Sequence, residues 1–303
     1  MDGSADRLCS AAERGDLRAL HTLLAEGVDV NARRIGGDTA LLSAVAAGRT
    51  ACVAFLLASG ADLHHAHGSE MTALRCAASL DHLGCLELLL QGGAQVNMRS
   101  MRGISALYEA ASSGSTACVA ALLAAGADPL LADASGWNAV HAAAWNNHVD
   151  ALRLLLAPAP ELALRLTDDG RTPLACALHR KREDAARYLL AECQLPPVGS
   201  VLQLLAAAGA WAQPLFAVLA ACQQLTAEQW ALVPIPCAGV GSALLEVLQR
   251  STAEAALLAQ HLPPAEREHL QTTLLCFERM RHRHRLPALP SPLEWRLLLA
   301  AVT

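Results

Sequence analysis

Three evenly spaced cysteines carry side chains that could act together chemically. Cys52, Cys85 and Cys118 are 33 residues apart, and thiolates bind soft metals and exchange disulfides. If the spacing marks one equivalent position in successive helical units, neighbouring thiols lie about 10 Å apart, the separation of packed helices. That distance exceeds the reach of a disulfide or of a shared metal site. The pattern therefore favours small apolar side chains in a packed core over metal or redox chemistry.

A second group of potential metal ligands consists of His64, His65 and His67. Imidazoles bind transition metals, but Asp62 is the one carboxylate at a supporting spacing, so we expect a solvated loop. The sequence contains no phosphate-binding glycine loop, no GxSxG motif and no HExxH motif. We therefore predict a protein that is not an enzyme and that uses neither a cofactor nor a metal.

Composition narrows the class of fold and of partner. Hydrophobic residues make up 53% of the chain and aromatic residues only 3%, which favours closely packed helices over sheets. The net charge is −5 and the isoelectric point is near 6.2, so the chain as a whole has no attraction for nucleic acid or anionic lipid. We expect an all-α protein whose partners are other proteins.

The expected location follows from two segments. The chain starts without the apolar run of a secretory signal, and its ten cysteines are expected to stay reduced. Residues 193–227 carry no charge, but Gly209 and Pro214 interrupt them. This predicts two short buried helices joined by a turn, not a membrane span. We expect a cytoplasmic protein, with the nucleus as the alternative.

Two series of positions repeat with one period. The first comprises Gly27, Gly60, Gly93 and Gly126, each 33 residues from the next, within the phrases LLAEGVDVN, LLASGADLH, LLQGGAQVN and LLAAGADPL. The second comprises Gly37, Glu70, Gly103 and Gly136, which precede DTAL, MTAL, ISAL and WNAV. Two series locked to one period indicate a stack of equivalent structural units.

These phrases resemble the ankyrin-repeat family, whose unit is a turn, two antiparallel helices and a loop. The resemblance implies an ankyrin solenoid of about six repeats over residues 4–194. Their approximate ranges are 4–33, 34–66, 67–99, 100–132, 133–165 and 166–194. Within the second repeat, Thr39 is expected to cap the slim inner helix and Gly48 to end it with a positive φ. Stacking of such units leaves a concave surface for binding.

Four residues of the fifth repeat form the predicted partner-binding site: Asp133, Trp137, His141 and Trp145. Trp137 falls in the turn and Trp145 late in the first helix, where the resemblance implies that side chains face partners. Aromatic side chains commonly anchor interfaces. The alternative is that one or both tryptophans fill space beside the irregular segment that contains Pro158 and Pro160.

The remainder of the chain leaves the 33-residue period. Residues 195–262 are predicted to form a helical region, and residues 263–303 resemble a SOCS box. The resemblance rests on a helical segment, a basic link and a proline-containing end. The residues that match its cullin-side motif are Leu289, Pro290, Pro292, Trp295 and Leu298. The resemblance implies binding of elongin B and C and of a cullin.

The sequence therefore predicts a protein-binding adaptor, the substrate-recognition subunit of an elongin- and cullin-type ubiquitin ligase. Its target protein is not identified by the sequence. The alternative is a non-catalytic ankyrin scaffold or inhibitor without a role in ubiquitination. Neither hypothesis involves nucleic acid or a membrane.

Overall fold

The computed structural model describes residues 3–65, 71–235 and 251–268, together with positions 237, 243, 244 and 247. It divides the chain into two compact units, unit 1 (Met1–Pro173) and unit 2 (Leu174–Thr303). The described residues form helices and turns, with two isolated β-bridges at Arg99–Ser105 and Ala132–Asn138. The all-α prediction is confirmed.

Unit 1 is a regular series of helix pairs. Its helices are α1 (Ser4–Arg14), α2 (Leu17–Ala25), α3 (Ala40–Ala46), α4 (Thr50–Ala58), α5 (Ala73–Ser79), α6 (Leu83–Gln91), α7 (Ala106–Ser113), α8 (Thr116–Ala124), α9 (Ala139–Asn146) and α10 (Val149–Leu156), followed by a 3₁₀ helix (Pro160–Leu164). Odd-numbered helices pack against odd-numbered ones and even-numbered against even-numbered. The result is a two-layered stack, as expected for ankyrin repeats.

The odd-numbered helices form the inner layer of the stack. Each inner helix from α3 to α9 begins at a side-chain cap. The hydroxyl of Thr39 accepts the N–H of Leu42 at 3.3 Å, which confirms the predicted cap. The equivalent caps are Thr72, Ser105 and Asn138, at the same 33-residue spacing. A cap satisfies an N–H group that would otherwise lack a partner, and each contributes about 1 kcal/mol.

Most inner helices end at a residue in the left-handed conformation. Gly48 has φ 66°, as predicted. Three residues other than glycine occupy the same position in their repeats, namely Asp81 (φ 58°), Asn147 (φ 68°) and Lys181 (φ 55°). Asparagine and aspartate tolerate this conformation better than other side chains do. Of these three residues, Lys181 is therefore expected to have the most strained backbone.

Replacing Lys181 by glycine is expected to stabilise unit 2 by about 1 kcal/mol, because glycine adopts a positive φ without a Cβ clash. The variant Lys181→Ala removes the same charge but keeps the Cβ, so it should bring no gain. Hydrogen exchange of the backbone amides of residues 174–192 measures both effects. Equal protection in the two variants would assign the gain to the lost charge.

The evenly spaced thiols lie in the core. Cys52 and Cys85 are 1% exposed and Cys118 is 0% exposed, so the prediction of core packing is confirmed. Burial and the neighbouring carboxylate of Asp81 raise the pKa of Cys118 to about 12. The thiol of Cys118 also donates a hydrogen bond to that carboxylate. A thiol in this environment stays protonated and unreactive at neutral pH.

Asparagine side chains in the loops after α2 and α6 connect successive repeats. The amide nitrogen of Asn97 donates to the Gly126 carbonyl at 3.2 Å, and its oxygen accepts the N–H of Asp128 at 2.9 Å. Asn31 makes the equivalent pair of bonds with Gly60 and Asp62. These hydrogen bonds hold adjacent repeats at a fixed spacing.

Unit 2 is also helical in the described residues. Its helices are α11 (Pro173–His179), which begins at the last residue of unit 1, then α12 (Glu183–Glu192), α13 (Val198–Ala208), a 3₁₀ turn (Ala210–Ala212), α14 (Gln213–Cys222), α15 (Ala227–Trp230) and α16 (Thr252–Gln260). The division between the units falls inside the predicted sixth repeat. The predicted boundaries at residues 194 and 262 stay predictions.

The uncharged stretch of unit 2 forms two helices. α13 ends at Ala208 and is followed by Gly209, which has φ 87°. Pro214 lies in the first turn of α14. Both helices bury leucines, among them Leu202 and Leu215. The prediction of two short buried helices is confirmed. Of the helices described, none combines the length and the apolar character needed to cross a membrane.

Candidate functional site: an aromatic groove on repeats four and five

A groove with a volume of about 410 Å³ opens between the inner helices of the fourth and fifth repeats. We call it the aromatic groove. The residues that line it are Tyr108, Ser112, Asp133, Ser135, Trp137, Ala142, Trp145 and Asn146. Helices α7 and α9 and the turn at residues 132–138 supply them. Three of the four residues of the predicted partner-binding site are thus brought together.

The two tryptophans form one wall. Their ring centroids are 5.1 Å apart and their planes meet at 78°, an edge-to-face arrangement that aromatic pairs favour. Trp137 immediately precedes the cap Asn138, and Trp145 lies in the last turn of α9. Both side chains are partly exposed. The pair presents rigid aromatic surface next to a polar turn.

Asp133 shapes that turn. Its Oδ1 accepts the N–H of Ser135 at 2.8 Å and the N–H of Trp137 at 2.9 Å. The backbone N–H of Asp133 donates to the Trp137 carbonyl at 2.7 Å. Among the described residues that line the groove, Asp133 is the one with a charged side chain. The carboxylate is therefore held in place before any ligand arrives.

The prediction that His141 contacts a partner is wrong, because its ring is 0% exposed. The ring lies 6.0 Å from that of Trp137. Its Nε2 donates to the carbonyls of Arg165 and Arg171 at 3.1 and 3.3 Å, and its Nδ1 faces the side-chain oxygen of Asn138 at 2.8 Å. Burial lowers the pKa of His141. The residue therefore holds the loop that carries Arg165 and Arg171.

The opposite wall comes from the fourth repeat and was not predicted from the sequence. The side-chain amide of Asn146 donates to the carbonyl and the hydroxyl of Ser112 at 3.0 and 3.2 Å. Ser112 stands 33 residues before Trp145, so it occupies the equivalent position of the preceding repeat. That spacing is the signal that could have identified it, together with Tyr108 one helical turn earlier.

The other candidate residues lie elsewhere. The Nε2 of His65 donates to the Gly37 carbonyl at 3.0 Å, and Asp62 accepts the backbone N–H of His64. His67 lies outside the described residues, and within the described part of the chain no three potential ligands converge on a metal site. The predicted cullin-side residues Leu289, Pro290, Pro292, Trp295 and Leu298 also lie outside the described residues.

Comparison with known protein families agrees with the repeated helix pairs described above. The family described as "Ankyrin repeats (3 copies)" matches residues 8–100 and 107–197, more than half of the chain. No curated protein matches the chain. The matched segments include both walls of the aromatic groove. The chain therefore belongs to the ankyrin-repeat family, whose repeats serve as protein-binding modules.

Proposed function

We propose that this protein is a non-catalytic adaptor that holds a target protein in the aromatic groove. In this proposal residues 263–303 deliver that target to an elongin- and cullin-type ubiquitin ligase. The observation that carries target binding is the perpendicular tryptophan pair beside the fixed carboxylate of Asp133. Tryptophan and tyrosine are enriched among the residues that dominate binding energy at protein interfaces.

The composition of the groove supports binding over catalysis. Ser112 and Ser135 supply hydroxyl groups, but the described residues that line the groove include no histidine, lysine or cysteine. A hydroxyl nucleophile needs an adjacent base, and the ring of His141 is fully buried against carbonyl groups. The aromatic and polar lining fits an interface, which combines apolar anchors with oriented hydrogen-bonding groups.

Recruitment of the ligase is supported by sequence alone. Leu289, Pro290 and Pro292 resemble the cullin-side motif, and Trp295 and Leu298 resemble the helix that follows it. The elongin-binding half departs from the usual pattern, since Glu266 stands where a leucine is expected and Leu270 where a cysteine is expected. These departures weaken the elongin-side resemblance and are the reason for keeping the alternative of a scaffold or inhibitor that does not recruit a ligase.

A pull-down from cell lysate with elongin B, elongin C and cullin as readouts tests the proposal. We expect the full chain to capture all three. A full-length variant with Leu289→Ala, Pro290→Ala and Pro292→Ala should lose the cullin and keep the elongins. A chain truncated after Pro263 should lose all three. If the folded full chain captures none of them, the ligase role is overturned and the scaffold remains.

A further inference from the structure

We propose that the aromatic groove recognises an arginine side chain on the target protein. The guanidinium stacks on the tryptophan rings and pairs with the carboxylate of Asp133. The inference rests on the proposed function, since it names the chemistry of the target that the groove would hold. Three features of the groove carry it: its charge, its polar content and its rigidity.

The charge of the groove favours a cation. Asp133 is the charged residue among the described residues that line it, and Tyr108, Trp137 and Trp145 add three aromatic rings. The faces of aromatic rings are electronegative and attract cations, most often arginine. The N–H of Asp168 donates to the Ser135 carbonyl at 3.0 Å, so a second acidic residue adjoins the groove. The exposed side chain of Arg102, on the neighbouring turn, is not part of the lining.

The hydrogen bonds of Asp133 leave a defined acceptor. Both backbone N–H groups that it accepts bind Oδ1, at 2.8 and 2.9 Å. Its other oxygen, Oδ2, is then available for a ligand. A guanidinium suits this arrangement, because it is planar, donates hydrogen bonds along its edge and stacks on aromatic rings with its face. An ammonium group offers no planar face to stack.

A neutral apolar side chain fits less well. The carboxylate of Asp133 and the hydroxyl of Ser135 would lose water on its entry without gaining a partner, and buried polar groups without hydrogen bonds are costly. The groove is also preorganised, since backbone N–H groups hold Asp133 and Ser112 holds the Asn146 amide. Preorganisation lowers the entropic cost of binding a polar ligand.

The test uses the full chain labelled with ¹⁵N at the tryptophan indoles and three peptides: acetyl-Gly-Arg-Gly-amide, the same peptide with citrulline, and the same peptide with lysine. Citrulline has the shape of arginine without its charge. We expect the arginine peptide to shift the signals of Trp137 and Trp145, assigned with Trp137→Phe and Trp145→Phe. Binding of the citrulline peptide should be about tenfold weaker or undetectable.

Asp133→Asn is the matched variant, because an amide oxygen can still accept the two N–H groups that shape the turn. It should weaken binding of the arginine peptide about fivefold or more and leave the weak citrulline binding unchanged. Unchanged indole signals of the free variant would show that the turn is intact. Equal binding of arginine and citrulline peptides, or stronger binding of the lysine peptide, would overturn the inference. The ligase pull-down depends on residues 263–303, so the two proposals can fail separately.

Discussion

Replacing Glu109 by alanine is expected to destabilise unit 1 by about 2 kcal/mol, because the buried guanidinium of Arg75 loses a close carboxylate partner. Glu109 on α7 lies 2.7 Å from Arg75 on α5, and their side chains are 19% and 5% exposed. Removing a carboxylate from a buried ion pair leaves the desolvation of the guanidinium less fully offset. Urea unfolding followed by circular dichroism measures the loss.

The control is a more exposed pair in the same unit. Glu13 lies 2.6 Å from Arg34, with side chains 42% and 33% exposed, and Arg34 also pairs with Asp38. Glu13→Ala should therefore cost about 0.5 kcal/mol or less. If Glu109→Ala and Glu13→Ala lowered the free energy of unfolding equally little, burial of the Arg75–Glu109 pair would add nothing to the stability of unit 1. Glu109→Gln should fall between them, since its amide oxygen can still accept from Arg75.

Replacing Gly103 by alanine is expected to destabilise unit 1 by about 3 kcal/mol, through a left-handed φ and a backbone clash. Gly103 has φ 81°, and a Cβ there would lie 2.8 Å from the Cα of Asp133 and 3.0 Å from the Ala132 carbonyl oxygen. Backbone atoms cannot rotate away as a flexible side chain can. The turn that carries Asp133 must shift, so affinity for the arginine peptide should fall as well.

Gly170→Ala is the matched control for Gly103→Ala. Gly170 occupies the corresponding position of a later turn and has φ 76°, but a Cβ there meets no atom within 4 Å. Its cost should be limited to backbone strain, about 1 kcal/mol. Thermal unfolding compares the two variants directly. A Gly170→Ala loss as large as that of Gly103→Ala would mean that φ, not contact with the next turn, determines the effect.

Much of the fold could be predicted from the sequence because its signals are local and repeat at one period. The phrase DTAL places a capping threonine before an apolar helix, and Thr39 caps α3 as expected. Residues 180–182 lack the usual glycine, but the chain still adopts a positive φ, at Lys181. Here the packing of the helix pair determines the conformation against the preference of the residue.

The candidate site was only partly predictable. The ankyrin resemblance placed Trp137 and Trp145 at partner-facing positions of the fifth repeat, and both line one groove. Spacing could not show that the cap at Asn138 and the carbonyls of Arg165 and Arg171 enclose His141. It also could not reveal the bond between Asn146 and Ser112, because that bond depends on which side chains of adjacent helices face each other. That information belongs to tertiary packing and not to the repeat pattern.

Because two adjacent repeats supply the whole lining of the aromatic groove, the groove depends on those two repeats and not on the rest of the stack. Every lining residue falls between Tyr108 and Asn146, so duplication or loss of a repeat earlier in the stack would leave the groove unchanged. An extra repeat inserted between the fourth and the fifth would separate Ser112 from Asn146 and abolish it. A change in repeat number at an earlier junction would therefore preserve the groove, whereas a change at this junction would not. If the two repeats were transferred together into another ankyrin stack, the groove would be transferred with them.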